Sequence, residues 1–163
     1  SDAWGEIEKA VSGALKGRTT HAVKCTFRMD GKTLVIGLPS GRNLHYLRCS
    51  IEERETPFGM RRQICHWGMK SGAGWCEQTT HGGKLIENIV QAIARDLLAD
   101  AIERLCVAGV IPFLHIHDQI LASSTSPAAT LKAVIKALTA RSSWCSDLPI
   151  RASGFTSKRF IKS

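Results

Sequence analysis

The spacing of apolar residues divides the chain into a first half of short alternating segments and a second half of helical ones. Apolar residues at positions 4, 7, 11 and 15 predict a helix from Trp4 to Leu15, with Gly17 as its cap. The alternating runs AVKCTFRM, TLVIGL and NLHYLRC, separated by the turn sequences DGK and PSGR, predict an antiparallel meander. The charged segment EERETP is expected to be a loop. RRQICHWGM and GWCEQT then predict a further hairpin, joined through KSGAG.

From Gly83 the period changes, because apolar residues recur at steps of three and four as far as Leu105. This predicts a long amphipathic helix that ends near Gly109. The run VIPFLHIHDQILASS predicts strand, tight turn and strand, and SPAATLKAVIKALTAR predicts a second helix with Ser126 as N-cap and Pro127 at its first position. This order of elements predicts an α+β fold with an antiparallel sheet and not a parallel α/β fold.

The composition fits one globular domain, or one large piece of a bigger protein, with 163 residues of which 44% are hydrophobic and 22% charged. A net charge of +8 favours an anionic partner, nucleic acid first and an anionic membrane surface second, although an ordinary basic surface stays an alternative. No apolar run approaches the roughly 20 residues of a membrane span, and the N-terminus lacks a signal-peptide pattern. The six cysteines form no CxxC pair and predict reduced, mostly buried thiols of a cytosolic protein.

Asp118 is the main candidate for chemistry, because it lies at the predicted hairpin turn between the apolar runs PFLHI and ILA. An aspartate at such a turn often only caps the local backbone. The apolar flanks, however, predict central strands that carry one carboxylate to the end of a sheet, where it could hold Mg²⁺ together with substrate phosphates. His115 and His117 fall short of a zinc signature, so we expect a packed His115 and an outward His117.

Two basic segments are weaker candidates for contacts with nucleic acid. Lys84, Glu87, Gln91 and Arg95 share one stripe of the long helix. Such a stripe is usually a solvated face, but it would also suit phosphate and base-edge contacts.

The C-terminal tail IRASGFTSKRFIKS is the second of these segments. It places Lys158, Arg159 and Lys162 around Phe155 and Phe160. A charged, frayed end is the simpler explanation. The two aromatic residues favour docking as an edge strand.

Taken in order, HGGKLIENIVQAIARDLLADAI, FLHIHDQI and WCSDLPIRASGFTSKRF resemble the C-terminal palm of a family A (polymerase I-like) DNA polymerase of the phage or prophage type. That family has a glycine-rich entry to a long palm helix, a His-Asp-Glu hairpin (motif C) and a closing Gly-x-x-x-Lys-Arg-aromatic strand. LPSGRNLHY and MRRQICHWGM resemble its segment between fingers and palm helix. The resemblance implies one unit over 1–163 with an antiparallel palm-type sheet, in which about 1–80 end the fingers.

The resemblance also implies roles for individual residues. Asp118 matches the motif C aspartate that binds the catalytic metals, and His117 matches the histidine that touches the primer end. Gln91 matches a palm-helix glutamine that reaches the minor-groove side of the nascent duplex. Gln119 stands where the family has glutamate, which removes a charge but keeps a hydrogen-bonding side chain. The further DNA-binding positions implied, as backbone contacts or helix support, are Lys84, Asn88, Arg95, Lys158 and Arg159.

The chemistry implied by the resemblance is two-metal phosphoryl transfer from a deoxynucleotide to a primer, in which two Mg²⁺ ions lie about 3.5 to 4 Å apart. One aspartate cannot hold both ions, and the family takes a second from motif A. It also uses a fingers helix (motif B) to clamp the nucleotide phosphates. The sequence contains neither a D-[YF]-S-x-x-E segment nor an R-x-x-x-K-x-x-x-[FY]-G helix, and the chain is expected to begin just after that helix.

Three hypotheses follow. The first is a palm fragment in the cytoplasm of a bacterial host, which binds DNA primer-template but is inactive without an N-terminal portion carrying motifs A and B, on a separate chain or the same polypeptide. The second is a degenerate polymerase remnant that acts as a non-catalytic DNA-binding module. A metal hydrolase that uses His115, His117 and Asp118 ranks below both.

Overall fold

The computed structural model describes residues 2–57 and 59–159 and divides into two compact units, Ser1–Gln91 and Ala92–Ser163. In the described residues the elements confirm the α+β fold, with a six-stranded antiparallel sheet, a separate two-stranded sheet and three α-helices. In chain order they are α1 (Ala3–Leu15), β1 (Thr20–Ala22), β2 (Cys25–Asp30), β3 (Thr33–Gly37), β4 (Asn43–Thr56), β5 (Gly59–Lys70), β6 (Gly74–Thr80), α2 (Gly82–Val107), β7 (Leu114–Ile116), β8 (Gln119–Leu121), α3 (Pro127–Thr139) and a 3₁₀ turn at Ser143–Cys145.

The first unit is built on the predicted meander, in which each strand pairs with its neighbour along the chain. Phe27, Leu34 and Ile36 of the sheet are fully buried, as are Ile7 and Val11 of α1. Burying an apolar side chain of this size contributes roughly 1.5–3 kcal/mol. The helical spacing of α1 therefore serves to cover one face of the sheet.

The charged segment EERETP is strand as far as Thr56, so the expected loop is wrong. Its residues pair across to β5, where Glu53 lies opposite Arg62, while Arg54, which faces Arg61, forms ion pairs with Glu52 and Glu77. Opposite charges facing each other across two strands stabilise the pairing. β4 and β5 therefore continue as a polar hairpin past the buried core.

The long helix α2 begins at Gly82, directly against α1. A Cβ atom at Gly82 would lie 2.5 Å from the carbonyl oxygen of Trp4, so a larger residue would push the two segments apart. The Gly82 N–H also donates to the Glu8 carboxylate at 2.9 Å, which supplies an acceptor at the helix N-terminus. The glycine-rich entry is thus a packing requirement of this fold.

The second unit joins the C-terminal part of α2 to α3 through a polar network around Ser142, which is almost fully buried. The Arg104 guanidinium donates to the Ser142 hydroxyl at 2.7 Å and to the Ala137 carbonyl oxygen at 3.2 Å. The Asp100 carboxylate accepts from Ser142 and from the indole of Trp144. These bonds satisfy the buried hydroxyl and fix the end of α3.

Two expectations about the second unit are wrong. β7 pairs with β8 alone within the described part of the chain, and all its residues are exposed, so these are not central strands of a larger sheet. The tail from 150 to 157 contains no strand, so the expected edge strand is absent from its described part. Phe160 and Lys162 lie outside the described residues. Pro127 does begin α3, although the Ser126 side chain makes no capping hydrogen bond.

Candidate nucleic-acid interface

The hairpin that carries Asp118 is closed by a two-residue turn, His117–Asp118, with Ile116 opposite Gln119. The Phe113 N–H donates to the Leu121 carbonyl oxygen at 3.0 Å, which extends the pairing by one rung. His117 has φ 53°, and a positive φ at the first turn residue is typical of II′ hairpin turns. The predicted tight turn is confirmed, and it holds Asp118 at the tip.

All the polar residues of this hairpin are exposed: His115, His117, Asp118 and Gln119. The expected packing of His115 is wrong, because no second layer covers the hairpin within the described residues. A divalent hard cation is bound by several oxygen ligands, of which one or two are usually carboxylates. Asp118 supplies one, and no group of three potential ligands in the described chain includes it. These residues alone therefore do not form a complete Mg²⁺ site.

A different cluster, Glu52, Cys65 and Glu77, brings three potential metal ligands within 4.8 Å of one another. Arg54 lies among them and pairs with both carboxylates, at 2.8 Å from Glu52. Its hydrogen bond lowers the pKa of Glu52, while burial raises the pKa of the Cys65 thiol and keeps it protonated. A guanidinium already occupies the place of a cation, so the cluster is a surface ion network.

The polar stripe of α2 is present and exposed as predicted. The Lys84 ammonium lies 2.8 Å from the Glu87 carboxylate, and the Gln91 amide donates to the other Glu87 oxygen at 3.3 Å. Arg95 is exposed one turn further along the helix. Such an exposed ion pair contributes less than about 1 kcal/mol, so a phosphate could displace Glu87 from Lys84 at little cost.

Asn88 lies beside this stripe and faces the sheet. Its amide donates to the Tyr46 hydroxyl at 2.9 Å, and the Tyr46 ring meets the edge of the His66 ring at 5.1 Å. Burial raises the pKa of Tyr46, and the Asn88 hydrogen bond lowers it in part. The contact supports the helix. No signal in the sequence around Tyr46 marks its role, because its partner lies 42 residues away.

Lys158 and Arg159 are exposed in the irregular tail. The turn brings His117, Asp118 and Gln119 together, and the helix does the same for Lys84, Gln91 and Arg95. In the described residues no helix is both long and apolar enough to cross a membrane.

A basic chain with an exposed Lys-Gln-Arg stripe and a solvent-facing aspartate at a hairpin tip has the features of a nucleic-acid-binding protein. Over 161 residues it is 34% identical to the DNA polymerase of Bacillus phage SP02, a match that covers 98% of this chain. It covers 24% of that polymerase, so the chain spans about a quarter of its relative's length. The similarity supports a relationship to DNA polymerases. No protein-family model and no solved structure matches the chain.

Proposed function

We propose that the chain is the C-terminal palm portion of a family A DNA polymerase of the phage type, which works in the host cell on DNA primer-template. One observation carries the proposal: nearly the whole chain aligns with a quarter of a phage DNA polymerase. In this proposal about 1–80 end the fingers, and the long helix and the Asp118 hairpin belong to the palm. The order of helix, hairpin and basic tail along the chain supports it.

The proposed reaction is template-directed nucleotidyl transfer. Mg²⁺ would supply the charge stabilisation that phosphoryl transfer needs. Asp118 contributes one carboxylate to the Mg²⁺ site, and an N-terminal portion with motifs A and B contributes the rest. His117 lies beside Asp118 in the turn and would face the primer end, while Gln119 adds an uncharged hydrogen-bonding group. The chain alone is inactive because its site is incomplete.

The surface of the β7–β8 hairpin supports the need for a further portion. Ile111 and Phe113 are 75% and 63% exposed, and Leu114 and Ile116 of β7 are exposed as well. A two-stranded hairpin is only marginally stable by itself, and its unpaired edges invite another strand. A strand from the N-terminal portion would cover these apolar residues and bring a second carboxylate to Asp118.

Duplex DNA is the proposed partner of the α2 stripe. Lys84 and Arg95 would contact phosphates, and Gln91 would reach base edges from the minor groove. Asn88 acts through Tyr46 by holding the helix. The exposed Lys158 and Arg159 add positive charge for the backbone.

The test is primer extension with Mg²⁺ and deoxynucleotides, with and without an N-terminal polymerase portion that carries motifs A and B. We expect no extension by the chain alone and extension when that portion is added. Asp118→Ala should abolish the restored activity, while Glu103→Ala, which removes an exposed acid from α2, should keep it. Extension by the chain alone would refute the proposed incompleteness.

The second candidate function, a non-catalytic DNA-binding module, is favoured by Gln119 and by the single carboxylate of the hairpin. The logarithm of the binding constant for primer-template would then fall linearly with the logarithm of the salt concentration. Neither Mg²⁺ nor Asp118→Asn would change the affinity. A marked Mg²⁺ dependence that Asp118→Asn removes would exclude this candidate.

A further inference from the structure

The sheet of the first unit has one face toward the helices, and part of its opposite face is exposed, beyond the buried Cys65. On β5, Ile64 and His66 point to the helix side, where His66 meets Tyr46. Because side chains alternate along a strand, Trp67 and Met69 point to the opposite side. Leu47 pairs with Trp67, and Trp75 pairs with Met69. We call these four residues, Leu47, Trp67, Met69 and Trp75, the open apolar face.

This face is exposed to an extent that is unusual for such large side chains. Met69 is 73% exposed and Trp75 is 51% exposed. Trp67 and Trp75 are diagonal neighbours on adjacent strands, at roughly 7–8 Å between Cα atoms. The exposed Trp75 indole therefore lies beside the half-buried Trp67 on one surface.

A backbone irregularity adds a positive charge to the open apolar face. The pairing of β4 with β5 shifts register between Leu47 and Ser50, and Arg48 within this bulge has φ 49°. A non-glycine residue rarely adopts a positive φ, and bulges often redirect a side chain near a functional site. Here the Arg48 guanidinium carbon lies 5.1 Å from the centre of the Trp67 ring. The bulge thus builds a stacked Arg48–Trp67 pair.

The surroundings favour a partner that alternates flat apolar groups with negative charges. Glu77 lies directly opposite Trp67 on this face, but Arg54 pairs with both Glu77 and Glu52. Arg61 lies opposite Arg54, so with Arg48 the face carries three guanidinium groups against two carboxylates. Bases stack on aromatic rings whatever their sequence, and a guanidinium stacks on rings and binds phosphate.

We propose that the open apolar face, with Arg48, binds unpaired single-stranded DNA by base stacking. The chain's charge of +8 gives the general attraction to the backbone, and Trp75 and the Arg48–Trp67 pair hold successive bases. The proposal deepens the proposed function and rests on it for the choice of DNA. It adds a single-strand site to the duplex site of α2.

The test measures the affinity of the whole chain for a labelled oligo-dT and for a blunt duplex by fluorescence anisotropy at one fixed salt concentration. Trp75→Ala should weaken oligo-dT binding about 5- to 140-fold, the equivalent of about 1–3 kcal/mol per stacked base. Arg48→Ala and Met69→Ala should weaken it less. Duplex binding should stay unchanged, and Trp75→Phe should restore most of the affinity.

Matched controls lie on the other face of the same strand. Met60 of β5 is 63% exposed, against 73% for Met69, and Arg62 is an exposed arginine that also points away from the open apolar face. Met60→Ala and Arg62→Ala should therefore leave any preference for oligo-dT over duplex intact. Circular dichroism checks that each variant is folded.

Three outcomes would overturn the proposal. One is unchanged oligo-dT affinity in Trp75→Ala. Another is an equal loss for oligo-dT and duplex. The third is weakened association with the N-terminal polymerase portion while oligo-dT binding is kept, which would make the face a protein contact. Failure of the proposed function is distinguishable, because extension would then be absent with the N-terminal portion while Trp75-dependent binding of oligo-dT persists.

Discussion

The hydrogen bond between Asn88 and Tyr46 fixes the first turns of α2 to β4, and each partner can be removed separately. Asn88→Ala leaves the Tyr46 hydroxyl without its partner, and water cannot easily replace that partner because Tyr46 is only 8% exposed. Leaving a buried polar group unpaired costs about 1–3 kcal/mol. Tyr46→Phe leaves the more accessible amide of Asn88, which water can reach, so we expect it to cost less, about 1 kcal/mol.

The two substitutions should not be additive. Once one partner is gone, removing the other costs little, and the double variant should fall short of the sum by about 1 kcal/mol. Urea unfolding of the two single variants and the double variant measures this coupling. Gln91→Ala is the control, because Gln91 is exposed one turn along and bonds Glu87. Full additivity of the two substitutions would contradict the hydrogen bond.

Tyr46 is the chain's single tyrosine, so its ionisation can be followed by ultraviolet absorbance without interference from another. Burial raises its pKa above the ordinary value of 10.0, and Asn88 opposes that rise by stabilising the phenolate. Asn88→Ala should therefore raise the pKa of Tyr46 further. An ordinary Tyr46 pKa in the folded protein, checked by circular dichroism, would refute the burial of this side chain.

The raised pKa also sets a dependence of stability on pH. The unfolded chain releases the Tyr46 proton near the ordinary pKa, whereas the folded chain holds it to higher pH. The contribution of Tyr46 is therefore fully present below about pH 10 and is lost as the pH rises through the folded-state pKa. Tyr46→Phe should remove this part of the loss.

Asp100→Ala removes the acceptor of the buried Ser142 hydroxyl and should lower the free energy of unfolding by about 1–2 kcal/mol. The control Glu103→Ala should lower it by less than about 0.5 kcal/mol. Thermal melts measure the difference, and equal melting temperatures for the two variants would contradict the prediction. A thiol reagent should label the exposed Cys106 first, and Cys106→Ser should remove the fast phase. Burial and the neighbouring Cys65 raise the pKa of Cys49 to about 11, so mass spectrometry should find it labelled much more slowly than Cys106, and equal rates at Cys49 and Cys106 would refute this.

Periodicity predicted the elements well where each lies against a core. α1, the meander and α2 each have an apolar side that the structure buries, whereas α3 buries Ala137 and half-buries its larger apolar residues. The bounds of all of them fall close to the predicted ones. EERETP was misassigned because its strand is stabilised by charges on the facing strand, such as Arg62 opposite Glu53. A pattern read along one segment carries no information about the segment opposite.

The prediction that the Asp118 hairpin consists of central strands was wrong for a related reason. Its apolar run predicted a central strand, but central position depends on pairing with strands on both sides, and in the described residues β7 pairs with β8 alone. The sequence left two roles open for Asn88, a contact with the DNA backbone or support of the helix. Its hydrogen bond to Tyr46, 42 residues away, favours support of the helix. Local turn geometry was predictable, while tertiary partners were not.

The contact of Gly82 with Trp4 and Glu8 has a consequence for the order of folding. The six strands pair only with chain neighbours, so the meander can form through short loops at a small entropic cost. The hydrogen bond from Gly82 to Glu8 joins residues 74 apart and encloses the whole meander. We therefore expect it to form late. Its opening would separate the start of α2 from α1, while α1 stays packed on the sheet through Ile7 and Val11 and the strand ladder stays paired.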